Sequence, residues 1–343
     1  MALFQKERLQ ELILQFAGKR VLVVGDMIVD RYVSITARKL SREAPVPVGD
    51  LQGEKLSLGG AGNLASNIIA LGGKADVLGF VGNDAQGEWI KKTLSDQGVD
   101  STHIGTYDRP TTLKSRYIVN GSQVLRVDRE VRSDTSTELS DGLLKSAERL
   151  ISGCDIVAVA DYDKGAITSY FIDSLVTFAK TAGKRIIAQP KVRHYMDLRS
   201  VDYIKSNERE ASIATGISVL NESGLKNIAT NLTTRLECKS IILTRSERGI
   251  TVFEQNQMAT IPPLISARQF ARPVGVRDAM TSAITLSLAC GSNSFEAAAL
   301  GNLAAAIPGE SAGTMVISAK DISQNLESAD RILARVIQQP VRR

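Results

Sequence analysis

Ile156-Val-Ala-Val-Ala160 carries no polar residue, and neither does Val21-Leu-Val-Val24 far upstream. A strand with one wet face alternates apolar and polar residues. A strand apolar at every position is covered on both sides. Three further runs, Ala75-Asp-Val-Leu-Gly-Phe-Val81, Arg185-Ile-Ile-Ala188 and Ser240-Ile-Ile-Leu-Thr244, are short and rich in β-branched residues. Helical spacing lies between them, as in Ala61, Leu64, Ala65, Ile68 and Ile69, and again in Ile172, Leu175, Phe178 and Ala179. Strands alternating with helices predict an α/β fold with a doubly wound, mostly parallel sheet. No repeat, low-complexity tract or Pro/Ser-rich linker divides the sequence, so residues 1–343 read as a single domain. Leu9, Leu12, Ile13 and Phe16 predict a short amphipathic helix ahead of it.

Two regions break the alternation. Residues 31–58 and 111–130 hold β-rich sequence such as Ala44-Pro-Val-Pro-Val48, Ser115-Arg-Tyr-Ile-Val119 and Gln123-Val-Leu-Arg-Val-Asp128, with no clear helix. Asn120-Gly121 is a strong hairpin signal. A small projecting β-sheet accounts for both regions. Such a flap closes over a substrate, or pairs with its copy through an apolar outer face, which predicts a homodimer through this lid.

Composition narrows the function. Hydrophobic residues make up 43% and charged residues 23%, as in ordinary globular proteins. No apolar run reaches the ~18 residues of a membrane span, so no membrane partner is expected. Cys154, Cys238 and Cys290 are scattered in apolar surroundings, which predicts free thiols and a cytoplasmic location. His103 and His194 lack metal-ligand spacing and exclude a histidine-based metal centre or triad. A net charge of +5 without a dense basic tract, and 5% aromatic content, argue against nucleic acid. A small anionic ligand fits better, because Arg268, Arg272 and Arg277 cluster in one segment, although a solvated arginine face explains them equally.

That segment contains Arg272-Pro-Val-Gly-Val-Arg-Asp278, which opens the apolar-periodic stretch Met280, Ala283, Ile284 and Leu288 and so lies at a helix N-terminus. Amides there are unpaired and the helix dipole favours an anion. Gly275 leaves room for phosphate, and Asp278 stands where a carboxylate can take a proton from an attacking hydroxyl.

Other segments follow predicted strands. Gly25-Asp26 through Asp30 places carboxylates at a strand's carboxyl end, where ligands of such sheets bind, though Asp26 equally reads as a helix cap. Leu58-Gly-Gly-Ala-Gly-Asn63 offers close backbone approach and a bifunctional amide, or simply a turn before a helix. Strand alternation puts Lys114 and Arg116 on one face of the flap, suited to a phosphorylated substrate or to surface ion pairs. Asn207-Glu-Arg-Glu210 can orient Mg²⁺-bound water or phosphate, and it also spells a capping box. Thr244-Arg-Ser-Glu-Arg-Gly249 brings hydroxyls and a glycine after another strand, apt for a nucleotide.

In order and spacing these segments resemble the PfkB/ribokinase family of carbohydrate kinases, from about Val21 to about Ile322. Glu43-Ala-Pro-Val-Pro-Val48, Asp161-Tyr-Asp-Lys-Gly165 and Thr244–Gly249 bring the sequence nearest to the bacterial heptose 7-phosphate kinases of lipopolysaccharide precursor synthesis. No counterpart of the nucleotidyltransferase domain fused to many of those kinases is read in these residues. The resemblance implies a ribokinase-like fold that transfers phosphate from ATP, with Mg²⁺, to a sugar or sugar-phosphate hydroxyl. It implies that Asp278 is the catalytic base and that Gly275, Val276 and Arg277 form the anion hole. Asp30, Gly59, Gly60 and Asn63 would hold the sugar beneath Lys114 and Arg116. Asn207 and Glu210 would match the Asn-x-x-Glu tied to Mg²⁺ through water, with no direct protein ligand. Thr244, Ser246, Gly249, Asn302 and Gly313 would line the nucleotide.

Two departures stand out. The family reads Asp-x-Thr-Gly-Ala-Gly-Asp where this chain reads Arg272 to Asp278, so the leading acid, the threonine and the second glycine are replaced. Gln189, in Ala188-Gln-Pro-Lys191, stands where an aspartate is usual. Losing one preorganised anion-hole donor costs about 3–4 kcal/mol, although a guanidinium at position 277 can itself supply charge. The sequence therefore supports two readings: an active sugar kinase with a modified anion hole, and a catalytically impaired pseudokinase that binds a sugar phosphate, a nucleotide or a protein partner.

Overall fold

The computed structural model describes residues 3–219, 221–264, 274–307, 314–333, 336 and 338–341. The apolar runs form the centre of one ten-stranded sheet. Across it lie Gln339–Pro340 (β14), Gln257–Ile261 (β13), Ile250–Glu254 (β12), Ser240–Thr244 (β11), Tyr203–Asn207 (β10), Arg185–Gln189 (β9), Ile156–Ala160 (β8), Arg20–Gly25 (β1), Lys74–Gly82 (β4) and Ile104–Tyr107 (β5). Every pairing from β11 to β5 is parallel. Strands β12 to β14 continue the sheet antiparallel at one edge.

Period-two alternation divides each central strand between two cores. Val21 and Val23 of β1 enter one, Leu22 and Val24 the other. The first core is closed by Lys6–Leu14 (α1), Ala61–Ala70 (α2), Ala85–Asp96 (α3), Val276–Ala289 (α8), Ser294–Ala305 (α9) and Ala319–Leu333 (α10). The second is closed by Thr137–Ile151 (α4), Ser169–Thr181 (α5) and Glu222–Leu236 (α7), with Ala211 of Glu208–Thr215 (α6). Each buried Val or Leu contributes about 1.5–3 kcal/mol, which is why β1, β8, β9 and β11 carry no polar residue at their centres. Helix α1 ends before Phe16, which reaches the same core from the following turn.

Most helices start on a side-chain cap: Asp84, Ser136, Thr168, Asn207, Asn221 and Asn293 each accept a first-turn amide. Helix α1, after Gln5, has no side-chain cap, and neither do α2 and α8. The latter two begin on Gly60 and Gly275, which leaves their first-turn amides outside the helix ladder.

The projecting sheet has the order Pro47–Gly60 (β3), Met27–Leu40 (β2), Thr112–Val119 (β6) and Ser122–Arg129 (β7). Strand β2 pairs parallel with β6, and the outer pairs are antiparallel. Asn120 and Gly121 form the β6–β7 turn with φ of 49° and 82°, as a two-residue hairpin requires. The strands start earlier than the sequence indicates, because β2 follows Asp26 directly and carries the lid straight out of the main sheet.

Among the described residues no helix is long and apolar enough to cross a membrane, and no three His, Cys, Asp or Glu side chains are grouped to hold a metal. The three cysteines are unpaired.

Candidate active site

Asp278 is the third residue of α8 and its carboxyl is buried. Oδ2 accepts a hydrogen bond from Asn63 Nδ2 at 2.8 Å, and Oδ1 accepts one from the Tyr162 hydroxyl. Burial raises the Asp278 pKa, against the pull of Tyr162, Asn63, Lys205 and Arg277. Gly275 begins the helix at φ 93°, and a Cβ there would lie 2.8 Å from Asn63 Nδ2. The glycine that starts the helix is thus also what lets Asn63 reach the carboxylate.

Gln189, at the carboxyl end of β9, ties four elements together. Its Oε1 accepts from Lys205 Nζ at 3.1 Å and from Thr281 Oγ1 at 2.6 Å, while Nε2 donates to the Tyr162 hydroxyl at 3.2 Å. Lys205 also reaches the Arg277 carbonyl at 3.4 Å and is 1% exposed. Burial, followed by the Arg277 charge, pushes the Lys205 ammonium down to about 7.

Glu210 faces this cluster from the start of α6. Its Oε1 meets Lys191 Nζ at 2.7 Å and Arg277 at 3.5 Å. Its Oε2 accepts the Asn207 amide at 3.2 Å, and Asn207 Oδ1 accepts the Glu210 amide at 2.8 Å. The capping box is therefore formed, and its outward carboxylate edge points at two cations. Burial disfavours the charged form of Glu210, but Arg277 and Lys191 outweigh it and hold the pKa below the ordinary value.

At the lid, Arg116 donates to Asp30 Oδ1 at 2.5 Å with both side chains buried. Asp30 Oδ2 lies over Gly59, where a Cβ would stand 2.6 Å from it. Burial raises the Asp30 pKa; Arg116 opposes that and Asp278 adds to it, so the two carboxylates sense each other. Lys114 binds Asp128 at 2.9 Å and Glu130 at 2.8 Å. The two lid cations thus come with their own counter-ions.

Asp26 has neither role read from the sequence. Its carboxylate accepts the amides of Tyr162 at 2.7 Å, Lys164 at 3.1 Å and Ala166 at 3.0 Å, so it folds the loop after β8 and sets Tyr162 over Asp278. Burial and Asp161 raise its pKa to about 6. Tyr162 and Lys205 carry no site role in the sequence reading, where Asp161–Gly165 enters only through the resemblance. A lysine inside a strand-length run, Tyr203-Ile-Lys205, was the available signal.

Thr244 Oγ1 donates to the Ser206 carbonyl at 3.3 Å, and Glu208 binds Arg245 at 2.7 Å and Arg248 at 2.5 Å. The loops after β10 and β11, with Ser246 and Gly249 in the second, are stitched together in this way. Asn302 of α9 donates to the Pro262 carbonyl at 2.8 Å, just past β13. Gly313, Arg268 and Arg272 lie outside the described residues.

Every strand-end residue of this cluster sits at the carboxyl edge of a parallel strand, beside a helix that starts without a side-chain cap. The family described as pfkB family carbohydrate kinase matches residues 19–321. The chain belongs to this family. Curated pfkB-type relatives named Bifunctional protein HldE include one from Helicobacter hepaticus, 31% identical over 96% of this chain and 68% of that protein. The one from Wolinella succinogenes is 35% identical over 92% and 67%, and the one from Nitratiruptor sp. 34% over 89% and 64%. The chain therefore spans about two thirds of the length of these relatives. Among solved structures, Arabidopsis thaliana ribokinase complexed with ribose and ATP superposes with TM-score 0.68 at 19% identity, covering 91% of this chain and 99% of that one. Escherichia coli phosphofructokinase-2 in complex with substrates and products gives 0.74 at 18%, covering 92% and 100%. At such identities the likeness is one of fold, and the ribokinase-like architecture read from the sequence is the one observed.

Proposed function

We propose that this pfkB-family protein transfers the terminal phosphoryl group of ATP to a sugar phosphate, a heptose 7-phosphate at its anomeric hydroxyl. The observation that carries the reading is the buried Asp278 carboxylate at the head of α8, next to the uncapped amides of Gly275, Val276 and Arg277. A base and a set of donors for developing charge lie within one turn. In the reaction the sugar oxygen bonds to phosphorus, the bond from phosphorus to the ADP oxygen breaks, and the hydroxyl proton passes to Asp278. Asp30, Gly59, Gly60 and Asn63 hold the sugar under the lid bearing Lys114 and Arg116. Asn207, Glu210, Thr244, Ser246, Gly249 and Asn302 form the nucleotide side. The HldE relatives and the segments shared with heptose 7-phosphate kinases support the substrate.

Mg²⁺ requires oxygen ligands or ordered waters in near-octahedral array. Here Glu210 spends one oxygen on two cations and the other on an amide, Asn207 spends its carbonyl oxygen on the cap, and position 189 is an amide. These residues do not fit a divalent metal, and no step is routed through one.

The test is phosphoryl transfer from ATP to heptose 7-phosphate, with ribose and fructose 6-phosphate as comparators. Asp278→Asn should lower turnover about 10²–10⁴-fold. Equal turnover in that variant would refute the assignment. One feature favours the second reading, a binding protein without turnover: Tyr162 and Asn63 already occupy both Asp278 oxygens. Binding of both substrates with no product would establish it.

A homodimer through the lid is part of the proposal. Leu40, Val46, Val48, Leu51, Val124, Leu125 and Val127 are exposed large apolar side chains in that region. Leu51→Asp with Leu125→Asp should shift the protein from dimer to monomer by sedimentation; a wild-type monomer would refute the dimer. A cytoplasmic location accords with unpaired cysteines, of which Cys154 and Cys238 are buried.

A further inference from the structure

Three positions at the phosphate end differ in charge from the family pattern: Arg272, which lies outside the described residues, and two within them. Gln189 stands where an aspartate is usual and Arg277 where a glycine is. Each of these two changes adds one positive charge, that of Arg277 beside the carboxylate of Glu210. Both positions belong to one hydrogen-bonded cluster, since Lys205 Nζ contacts Gln189 Oε1 at 3.1 Å and the Arg277 carbonyl at 3.4 Å.

We infer that this site binds a polyphosphate free of divalent metal, with Lys191, Lys205 and Arg277 supplying the counter-charge. The inference rests on the nucleotide reading above and specifies the form of that ligand. In phosphoryl transfer, metal ions ordinarily bridge the terminal phosphates and neutralise their charge. Guanidinium and ammonium groups can do the same, the former through a planar fork matched to phosphate oxygens. Arg277 and Lys191 are placed for it. Their side chains are 39% and 27% exposed, so an anion can reach them while they stay paired with Glu210, without unpacking the core. Lys205 is fixed beneath them. Its ammonium can make three hydrogen bonds, two are accounted for, and one remains for phosphate. Glu210 is the counter-ion of both exposed cations and keeps its Oε1 on them.

The test is calorimetric titration of the full chain with ATP in excess EDTA and, separately, with ATP in excess Mg²⁺. The expected result is binding in EDTA at least as tight as in Mg²⁺. In the Gln189→Asp/Arg277→Gly double variant, affinity in EDTA should fall about tenfold or more and Mg²⁺ should restore it. Wild-type binding about tenfold tighter with Mg²⁺ than without it would overturn the inference and leave the nucleotide reading standing. Binding in neither condition would overturn both. The wild-type comparison decides the question even if the double variant fails to fold.

Discussion

Replacing Gly275 by alanine should damage fold and site together. Gly275 has φ 93°, where a residue with a Cβ is disfavoured by about 1–2 kcal/mol. The new methyl would lie 2.6 Å from Thr314 Cγ2, 2.8 Å from Asn63 Nδ2 and 2.8 Å from the Met315 nitrogen. The Met315 amide cannot retreat freely, because it donates to the Val274 carbonyl at 2.8 Å. Relief must come from Asn63, whose withdrawal frees one oxygen of the buried Asp278. Overpacking of this kind adds roughly 1–3 kcal/mol, so the total is about 2–5 kcal/mol. Urea unfolding followed by far-UV circular dichroism measures it. Gly142→Ala is the control: Gly142 is exposed within α4 and a Cβ there meets nothing within 4 Å, so the same change should stabilise by about 0.5–1 kcal/mol. A Gly275→Ala protein within about 0.5 kcal/mol of wild type, with sugar turnover intact, would refute the account of how Asn63 and Asp278 are held.

Three other perturbations test separate parts of the site. Tyr162→Phe removes a donor from Asp278; the carboxyl, already raised by burial, should rise further, and the acidic limb of the turnover profile should move to higher pH. An unmoved limb would show that Tyr162 does not touch the ionised base. Arg116→Met strands the buried Asp30 and should cost about 3–5 kcal/mol in urea unfolding, with Asp30→Asn in the same chain recovering part of the loss. No recovery would mean that the arginine acts through packing alone. Lys205, pushed down to about 7 by burial, binds fewer protons folded than unfolded between that value and the ordinary lysine value of 10.5. Its contribution therefore makes stability rise with pH across that window, by at most about 1.4 kcal/mol per pH unit, and Lys205→Met should flatten the rise. An unchanged slope would place the lysine's folded value near its ordinary one.

The parts of the fold legible in the sequence are those where one short segment carries the whole signal. Continuous apolar runs marked β1, β4, β8, β9 and β11, and Asn120-Gly121 marked the lid hairpin. The antiparallel edge was not legible. Its β12–β13 turn is Gln255-Asn256, with φ of 50° and 62° but no glycine to announce it. The site divides in the same way. Asp278, Asn63 and the Asn207–Glu210 box each follow a local pattern. Tyr162 follows β8, Gln189 ends β9 and Lys205 lies within β10, and only the parallel order of these strands brings them together.

That assembly bears on whether the altered phosphate end is decay or design. The ammonium form of Lys205 has no acceptor capacity, so the atom of Gln189 that faces it is the oxygen, which leaves the amide nitrogen for Tyr162. With its oxygen already accepting from Gln189, the Tyr162 hydroxyl has one proton, and that proton goes to Asp278. An aspartate at position 189 could not donate, and it would compete with Asp278 for the same proton. The glutamine therefore fixes the direction of a hydrogen-bond chain ending on Asp278, while its oxygen holds Lys205 and Thr281. Random loss of a catalytic apparatus leaves buried polar atoms without partners. Among the described residues such atoms occur at Tyr32, Asp163, His194, Asn231, Ser240, Ser292 and Thr314, and none belongs to the Gln189 cluster. A substituted residue whose polar atoms are all partnered around an intact carboxylate, as at Gln189, is what the proposed binding of an anionic ligand requires of this site.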